Sequence, residues 1–591
     1  MSSSRSRREV RFPRVNPARV AGIAGAALGV AAGAAGAQVE FRTLAVTGQA
    51  APGSPAGVVF ESLSSPRINE AGTIAFWARL GGPGPSDPKV SSIWSVLPGG
   101  SPVRVVAAGD TAPFDDAQQF MSTIDPAIDS KGGVTFLASF TDEPSPTHQT
   151  PAPAGIFAAA AGNLEDFGAR DGAPNGLPAP QGTFAGIVAA AAGAPGSVAF
   201  SANGGRGVWS ALSGSNPELI AARDTQAPGL PEGVQLLHID APWQDEGGSV
   251  LFRSTLRLMP TDNHGPAALW SDRAGALAAL VVAGDAAPGG PAGATFADFG
   301  TRPALAGGRV FFSALLAGEE VTAENDTGLW TDRSGALDVL AREGDVVPGL
   351  TDVVYGSISP RPATNRRADA AFLAYLRGPS VTATNNSAIV RSMANGHTAV
   401  VAREGDQVPG MATGVRYAVF HEPAINERGQ VAFVARLRGD DGTNVGPMNN
   451  VALFYTDPCR GVTPVVRTGT AFTVEVPGGS PAVRTIAEII FDSEPAVTGR
   501  GQFNGDGTLV FTLRFTDGSS GVFSAGTFLS ADINRDGVVN SMDVSAFLVL
   551  WVTSLTDGTL EGDFDMDGHV TATDVSAFLS TWLGTLGGGG C

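Results

Sequence analysis

Charge, thiols and long apolar runs are all scarce in this sequence. Only 16% of its 591 residues are charged, and acidic residues outnumber basic ones enough to give a formal net charge of −19. A protein that neutralises phosphates needs a basic footprint, so nucleic acid is excluded as a partner, and so is a basic membrane-surface role. Cysteine occurs twice, as Cys459 and Cys591, which is too few for disulfides to hold the fold. Beyond the N-terminal region no segment approaches the ~18 uninterrupted apolar residues of a spanning helix. The mature chain is therefore expected to have no transmembrane segment.

Glycine and proline, by contrast, are plentiful at 78 and 41, while apolar residues still make up 43%. Enough apolar material remains for a packed core, so the chain is not a disordered one. The mixture predicts many short strands punctuated by turns.

The N-terminus carries Arg5, Arg7, Arg8, Arg11, Arg14 and Arg19, then an Ala/Gly/Val/Ile/Leu run over 20–34. Ala35-Gly36-Ala37 follows, a small-x-small cleavage site before Gln38. This is the pattern of a signal peptide over residues 1–37. It predicts an exported protein, extracellular or at the cell surface.

One phrase recurs along the chain. Ile68-Asn69-Glu70-Ala71-Gly72-Thr73-Ile74-Ala75-Phe76 returns as Ile425-Asn426-Glu427-Arg428-Gly429-Gln430-Val431-Ala432-Phe433. Degenerate copies end at Phe136, Phe200, Phe252, Phe312, Phe372 and Phe511, giving eight copies at spacings of 52 to 78. The third departs most, with Gly193 and Gly196 for Asn and Gly. A Gly-Asp-x-x-Pro-Gly phrase precedes the copies, as at Asp285, Asp345 and Asp406, with weaker forms at Asp110, Asp171 and Asp224. An aromatic follows them: Trp94, Phe157, Trp209, Trp270, Trp330, Phe454 and Phe523, with Val390 in the sixth unit.

Val431, Phe433, Ala435 and Leu437 fall on one face at period two, which is a strand. The Asn-x-x-Gly before it reads as a tight turn, because Asn and Gly tolerate left-handed backbone. Four strands in about 60 residues is the size of a propeller blade. The expected fold is mainly β: an eight-bladed β-propeller-like repeat domain over 38–528, followed by a small α-helical domain. A β-sandwich array or open solenoid is the competing architecture. An unpaired strand at 41–46 stands in phase with the last strand of a unit, while the eighth unit ends soon after Phe523. That strand is expected to complete the last blade and close the ring. These phrases resemble the tandem NxxGxxAF repeat proteins over roughly 41–528. That resemblance implies export and repeat architecture, and no activity.

Residues 532–543 and 563–574 fit the twelve-residue calcium loop. In the first, Asp532, Asn534, Asp536, Val538 by its carbonyl, Asn540 and Asp543 stand at the ligand positions. In the second they are Asp563, Asp565, Asp567, His569 by its carbonyl, Thr571 and Asp574. Gly537 and Gly568 permit the sharp bend. Each loop leads into Asp-Val-Ser-Ala-Phe-Leu-x-x-Trp, apolar at helical spacing. Two such units predict two bound Ca2+ ions. Residues 529–585 resemble a dockerin, of the variant whose chain ends in Gly590-Cys591 after the tail 586–591. The resemblance implies two loop–helix units about a near twofold axis and a cohesin-like protein partner. Ser541-Met542 and Ala572-Thr573 stand where that partner's contacts fall.

Catalytic patterns are not legible. The six histidines, His148, His238, His264, His397, His421 and His569, form no ligand motif and none recurs with the repeat. No nucleophile elbow or phosphate loop stands in a strand–turn–helix setting. The recurring aspartates read as turn-fixing acceptors and the recurring aromatics as core. Trp77 and Trp243 lie outside the repeat and are the better candidates for exposed contacts. Two function classes follow. One is a non-catalytic secreted or cell-surface repeat protein, a binding or scaffold module held by the dockerin-like end, with a glycan among its candidate ligands. The other is a propeller-based carbohydrate-active enzyme carrying a dockerin.

Overall fold

The computed structural model describes residues 39–591 except 83–88, 125, 142–153, 161–162, 171–172, 174–175, 178–182, 185–186, 188, 192, 213–214, 259–263, 441–443, 458–460, 476–478, 492–496, 499–500, 527–532, 534–538, 558–563, 565–569 and 588–591. The leader, Cys459 and Cys591 lie outside the described residues. So do Asp532, Asn534, Asp536, Val538, Asp563, Asp565, Asp567 and His569. The described strands fall into eight sheets, the blades of an eight-bladed β-propeller. Two helices follow, α1 (Ser541–Asp557) and α2 (Ala572–Gly587). Among the described residues no helix is long and apolar enough to cross a membrane.

The first blade shows how the sequence makes each unit. Strands Val59–Ile68, Ile74–Gly81, Val90–Val96 and Val103–Ala107 form an antiparallel meander from the inside out. β-branched and aromatic residues fill them, and turns rich in Gly and Pro separate them. The repeat Phe lies on the second strand and the recurring aromatic on the third. In all eight blades these two residues stand directly opposite each other: Phe76 with Trp94 and Phe200 with Trp209, through to Phe372 with Val390 and Phe511 with Phe523. All sixteen are essentially inaccessible. The Phe433 and Phe454 rings stack 5.4 Å apart at 21°. Directly opposed side chains are the unit of sheet stabilisation.

The core lies between blades. Val431, Phe433, Ala435 and Leu437 pack with Ala371, Leu373 and Ile389 of the sixth blade. Ala432, Val434, Leu453 and Tyr455, on the other face, pack with Phe511, Leu513 and Phe523 of the eighth. Both faces of the strand are therefore buried, and the period-two alternation shows only at its outer end, where Arg436 is exposed.

Ring closure follows the phase of the repeat. Strand Glu40–Val46 pairs antiparallel with Ser520–Gly526, Thr43 opposite Phe523, and supplies the outermost strand of the eighth blade. Leu44 and Ala45 then join Phe60, Phe76 and Val510 in one buried cluster. The eighth unit is also the longest. Its extra length includes Val497–Thr498, which pairs in parallel with Ala189–Ala191 of the third blade, a blade that is not its neighbour.

Candidate functional site

The Asn-x-x-Gly turns meet around the axis of the ring. In the first, Asn69 N donates to Thr73 O at 3.0 Å and Gly72 N to Asn69 O at 3.0 Å. The Asn69 side-chain oxygen accepts from Thr73 N at 2.9 Å. Its Nδ2 then leaves the blade and donates to Asp129 O of the next, at 2.9 Å. Asn365 does the same to Asn426 O, Asn426 to Asn504 O, and Asn504 to Asn69 O. The motif Asn is thus a staple between blades. Its backbone is not left-handed, as the tight-turn reading expected. Only the fourth turn position is, as at Gly72, Gly429 and Gly507. Where Asp replaces Asn the direction reverses, and Asp129 Oδ2 accepts from Gly196 N of the third blade at 3.2 Å.

The residue after the motif Asn or Asp is a glutamate in three of the blades. Glu70, Glu246 and Glu427 line a cavity of about 120 Å³ at the axis, with Trp243, Ile425 and Phe503. Arg366 supplies the counter-charge. Its Nε lies 3.1 Å from Glu427 and 3.9 Å from Glu246, and its main-chain N donates to Glu427. Burial pulls the Arg366 guanidinium down, but the carboxylates of Glu427, Glu246 and Glu70 together outweigh it and hold its pKa above the ordinary value. Glu70 reaches across the ring seam to accept from Gly505 N at 2.8 Å. These carboxylates join the blades that carry them to other blades, a structural use of charge.

Of the recurring aspartates, Asp110 and Asp285 fix turns by accepting main-chain N–H groups, whereas Asp345 and Asp224 take guanidinium groups, Asp224 that of Arg257 at 2.7 Å. Asp110 accepts from Ala107 N and Asp285 from Val282 N, both at 2.8 Å, while Asp345 takes Arg342 at 2.6 Å. Asp171 lies outside the described residues. Asp406 differs. It lines an open polar cavity of about 300 Å³ between the sixth and seventh blades, with Arg403, Arg416 and Arg438. Desolvation by the packed blades pushes its carboxyl above the ordinary aspartate value, against the pull of Arg403 and Arg416.

Trp77 and Trp243 are not exposed contacts, contrary to the sequence reading. Each is half-buried and spans to the next blade, Trp77 Nε1 donating to Thr123 O at 2.9 Å and Trp243 Nε1 to Leu305 O at 3.1 Å. An indole at a blade junction satisfies its one donor there.

At the C-terminus, α1 and α2 begin beside the last residues of the two candidate loops. Asp543 and Asp574 are fully buried. Asp543 accepts from Asn540 N at 2.8 Å, and Asp574 accepts from Thr571 N and Phe564 N, both at 2.7 Å. Each carboxylate turns back to the main-chain N–H three residues before it. Phe547 and Phe578 stack between the helices at 4.3 Å and 20°. Among the described residues no cluster of three or more His, Cys, Asp or Glu is placed to hold a metal.

A family model described as Family of unknown function (DUF7453) matches residues 35–367 and, in a second register, 205–527. The chain belongs to this family. The DUF7453 match spans the eight blades, and its two overlapping registers reflect the internal repeat. No curated protein matches the chain. Solved structures similar to it include the β-propeller domain of the Trilobed protease from Pyrococcus furiosus, with an open velcro topology. That likeness has 8% identity and a TM-score of 0.33, over 70% of this chain and 99% of the other. The polysaccharide lyase Uly1 is similar at 10% identity and a TM-score of 0.29, over 78% of this chain and 89% of its own. The DUF7453 region ends before α1, so the paired helices stand outside the family match.

Proposed function

We propose that this chain is an exported, non-catalytic repeat protein, a binding or scaffold propeller attached through a C-terminal calcium-dependent, dockerin-like module. The supporting observation is the pair of buried carboxylates at the start of α1 and α2, Asp543 and Asp574, which accept from Asn540 N and Thr571 N at the ninth place of each candidate loop. A bound Ca2+ supplies the positive charge that draws loop oxygens around one point. Asp532, Asn534, Asp536, the Val538 carbonyl and Asp543 hold one ion, with Asn540 at the ninth position. Asp563, Asp565, Asp567, the His569 carbonyl and Asp574 hold the other, with Thr571 at the ninth. The helices then present a face to a cohesin-like partner.

The axial end of the propeller is not built for a small-molecule substrate. Its axial cavity, about 120 Å³, is below the ~300–1,000 Å³ of small-molecule sites. The axial carboxylates are used by Arg366 and Gly505.

A second reading, a carbohydrate-active enzyme on the propeller, is favoured by one observation. The Asp406 carboxyl, pushed up in an open polar cavity, offers an acceptor to a sugar hydroxyl beside three guanidinium groups. The other two carboxylates of that cavity are engaged, Asp440 by Arg416 Nε at 3.0 Å and Glu404 by Ser387 Oγ at 3.0 Å. The test is a glycan array with parallel hydrolysis assays on the mature chain. Binding without turnover supports the scaffold reading. Turnover abolished by Asp406→Asn supports the second and overturns the first.

A further inference from the structure

The junctions on the two sides of the sixth blade follow one plan. Between the fifth and sixth blades stand Glu324, Arg342, Asp345 and Arg377. Between the sixth and seventh the matching places carry Thr384, Arg403, Asp406 and Arg438. The frame is common to both. Nη2 of Arg377 donates to Glu324 O, and Nη2 of Arg438 to Thr384 O at 3.0 Å. The turn glycines meet the same groups: a Cβ on Gly344 would lie 3.1 Å from Glu324 O, and one on Gly405 2.9 Å from Thr384 O.

The side chains part company at one place. In the first junction each guanidinium has a carboxylate. Arg342 Nη2 donates to Asp345 at 2.6 Å, and Arg377 Nη1 lies 3.2 Å from Glu324 Oε2. In the second, Thr384 stands for Glu324, so the carboxylate that would face Arg438 is missing from the chain. Arg403 has turned to the main chain, its Nε donating to Asn385 O at 3.1 Å. Among the described residues, Nη2 of Arg403 and Nε of Arg438 are buried without a hydrogen-bond partner. Buried donors left unmet cost free energy, more so when charged. Arg416 brings no remedy, because its Nε is taken by Asp440 at 3.0 Å.

The place of the missing side chain belongs to the open polar cavity of about 300 Å³. Glu324 shows by example what suits it: a carboxylate in front of a guanidinium, the pairing with the strongest hydrogen bonds. Apart from Gly405, every residue lining the cavity is polar or charged. Such a wall offers partners to hydroxyl groups and no apolar seat for a peptide.

We propose that the cleft between the sixth and seventh blades binds a uronic acid, its carboxylate taking the place before Arg438 that Glu324 holds before Arg377. The proposal rests on the reading of the propeller as a binding module and names the chemical group it takes.

The test is calorimetric titration of the whole mature chain with D-glucuronate and D-galacturonate, beside D-glucose and N-acetylglutamate. At least one uronate should bind about tenfold or more tighter than glucose and acetylglutamate, the worth of one charge-assisted hydrogen bond. Thr384→Glu supplies the carboxylate from the chain itself, as the neighbouring junction does. Uronate affinity should then fall at least about tenfold while the thermal midpoint does not fall. Should that variant fail to fold, Arg438→Gln reads the same site and should lose affinity by a similar factor. Glucose binding as tightly as the uronates, acetylglutamate binding tighter than both, or a Thr384→Glu chain within about twofold of native affinity would each overturn the proposal. So would a native chain that binds no uronate; a glycan-array hit on a neutral glycan would then leave the binding-module reading standing. Uronate turnover would instead overturn the non-catalytic reading and leave the carboxylate site in place.

Discussion

Nδ2 of Asn504 donates to the main-chain oxygen of Asn69 at 3.3 Å, joining residues 435 apart in sequence across the seam of the ring. The oxygen of the same Asn504 side chain accepts from Thr508 N at 2.9 Å. One buried amide therefore closes a turn within the eighth blade and ties that blade to the first. The propeller is sealed at its axis by this amide and at its rim by strand Glu40–Val46.

Asn504→Ala is expected to destabilise the propeller, as is Asn426→Ala. Each variant leaves a buried main-chain N–H unpaired, at about 1–3 kcal/mol, and removes the bond between blades, while the accepting carbonyl keeps the N–H of its own turn glycine. Equilibrium unfolding in denaturant reads the loss. A loss under about 0.5 kcal/mol in both would show that the staples do not hold the blades together.

Phe433→Ala removes a ring packed against Tyr417, Phe420 and Phe454 of its own blade, in the buried cluster shared with the sixth blade. Such a truncation costs about 3–5 kcal/mol. The same measurement applies, and Phe312→Ala should behave alike.

The turn glycines give a graded series. Gly72 has φ +77°, and a Cβ there would meet only Pro98 at 3.4 Å, so Gly72→Ala carries the left-handed backbone cost alone, about 1–2 kcal/mol. At Gly429, φ +75°, a Cβ would lie 2.9 Å from Met393 Cε and 3.3 Å from Asp369 Oδ2, so Gly429→Ala should cost more. The sixth blade already carries the unfavourable residue, Ala368 at φ +62°. Ala368→Gly should relieve that strain while losing a buried methyl, for a net gain of about 0–1 kcal/mol. Thermal midpoints should rank Ala368→Gly highest, then Gly72→Ala, then Gly429→Ala.

Glu422 bridges the sixth and seventh blades, accepting from Ser359 Oγ at 2.6 Å. Burial raises its carboxyl pKa, against Ser359 and Arg361, which lower it. The folded chain therefore holds this proton to higher pH than the unfolded chain does. Stability falls as pH rises from the unfolded value through the raised folded one, and the penalty is absent at acid pH. Glu422→Gln should raise the thermal midpoint at neutral pH, with the gain vanishing toward pH 4. An equal gain at both pH values would mean that the charge is not the cause.

The eight units, the recurring core aromatics and the closing strand were legible because each depends on spacing along the chain. Phe312 and Trp330 recur at blade intervals, and Thr43 stands in phase with an unfinished blade. What spacing could not show was the contact between units. Asn69 read as a turn former, since a lone sequence does not say that its amide points at the next blade. Trp77 and Trp243 read as exposed because they lie outside the repeat, yet lying outside it is what lets them fill junctions between blades. Arg366 was invisible for a related reason. Its partners Glu246 and Glu427 lie in other blades and meet it only at the axis.

Calcium stoichiometry of the mature chain tests the central claim most directly, measured by equilibrium dialysis beside the Asp532→Ala/Asp563→Ala variant. The account predicts two ions per native chain and none in the double variant, with the propeller's unfolding transition unchanged between them. A native chain that binds no calcium, or a double variant that still binds two ions, would contradict it.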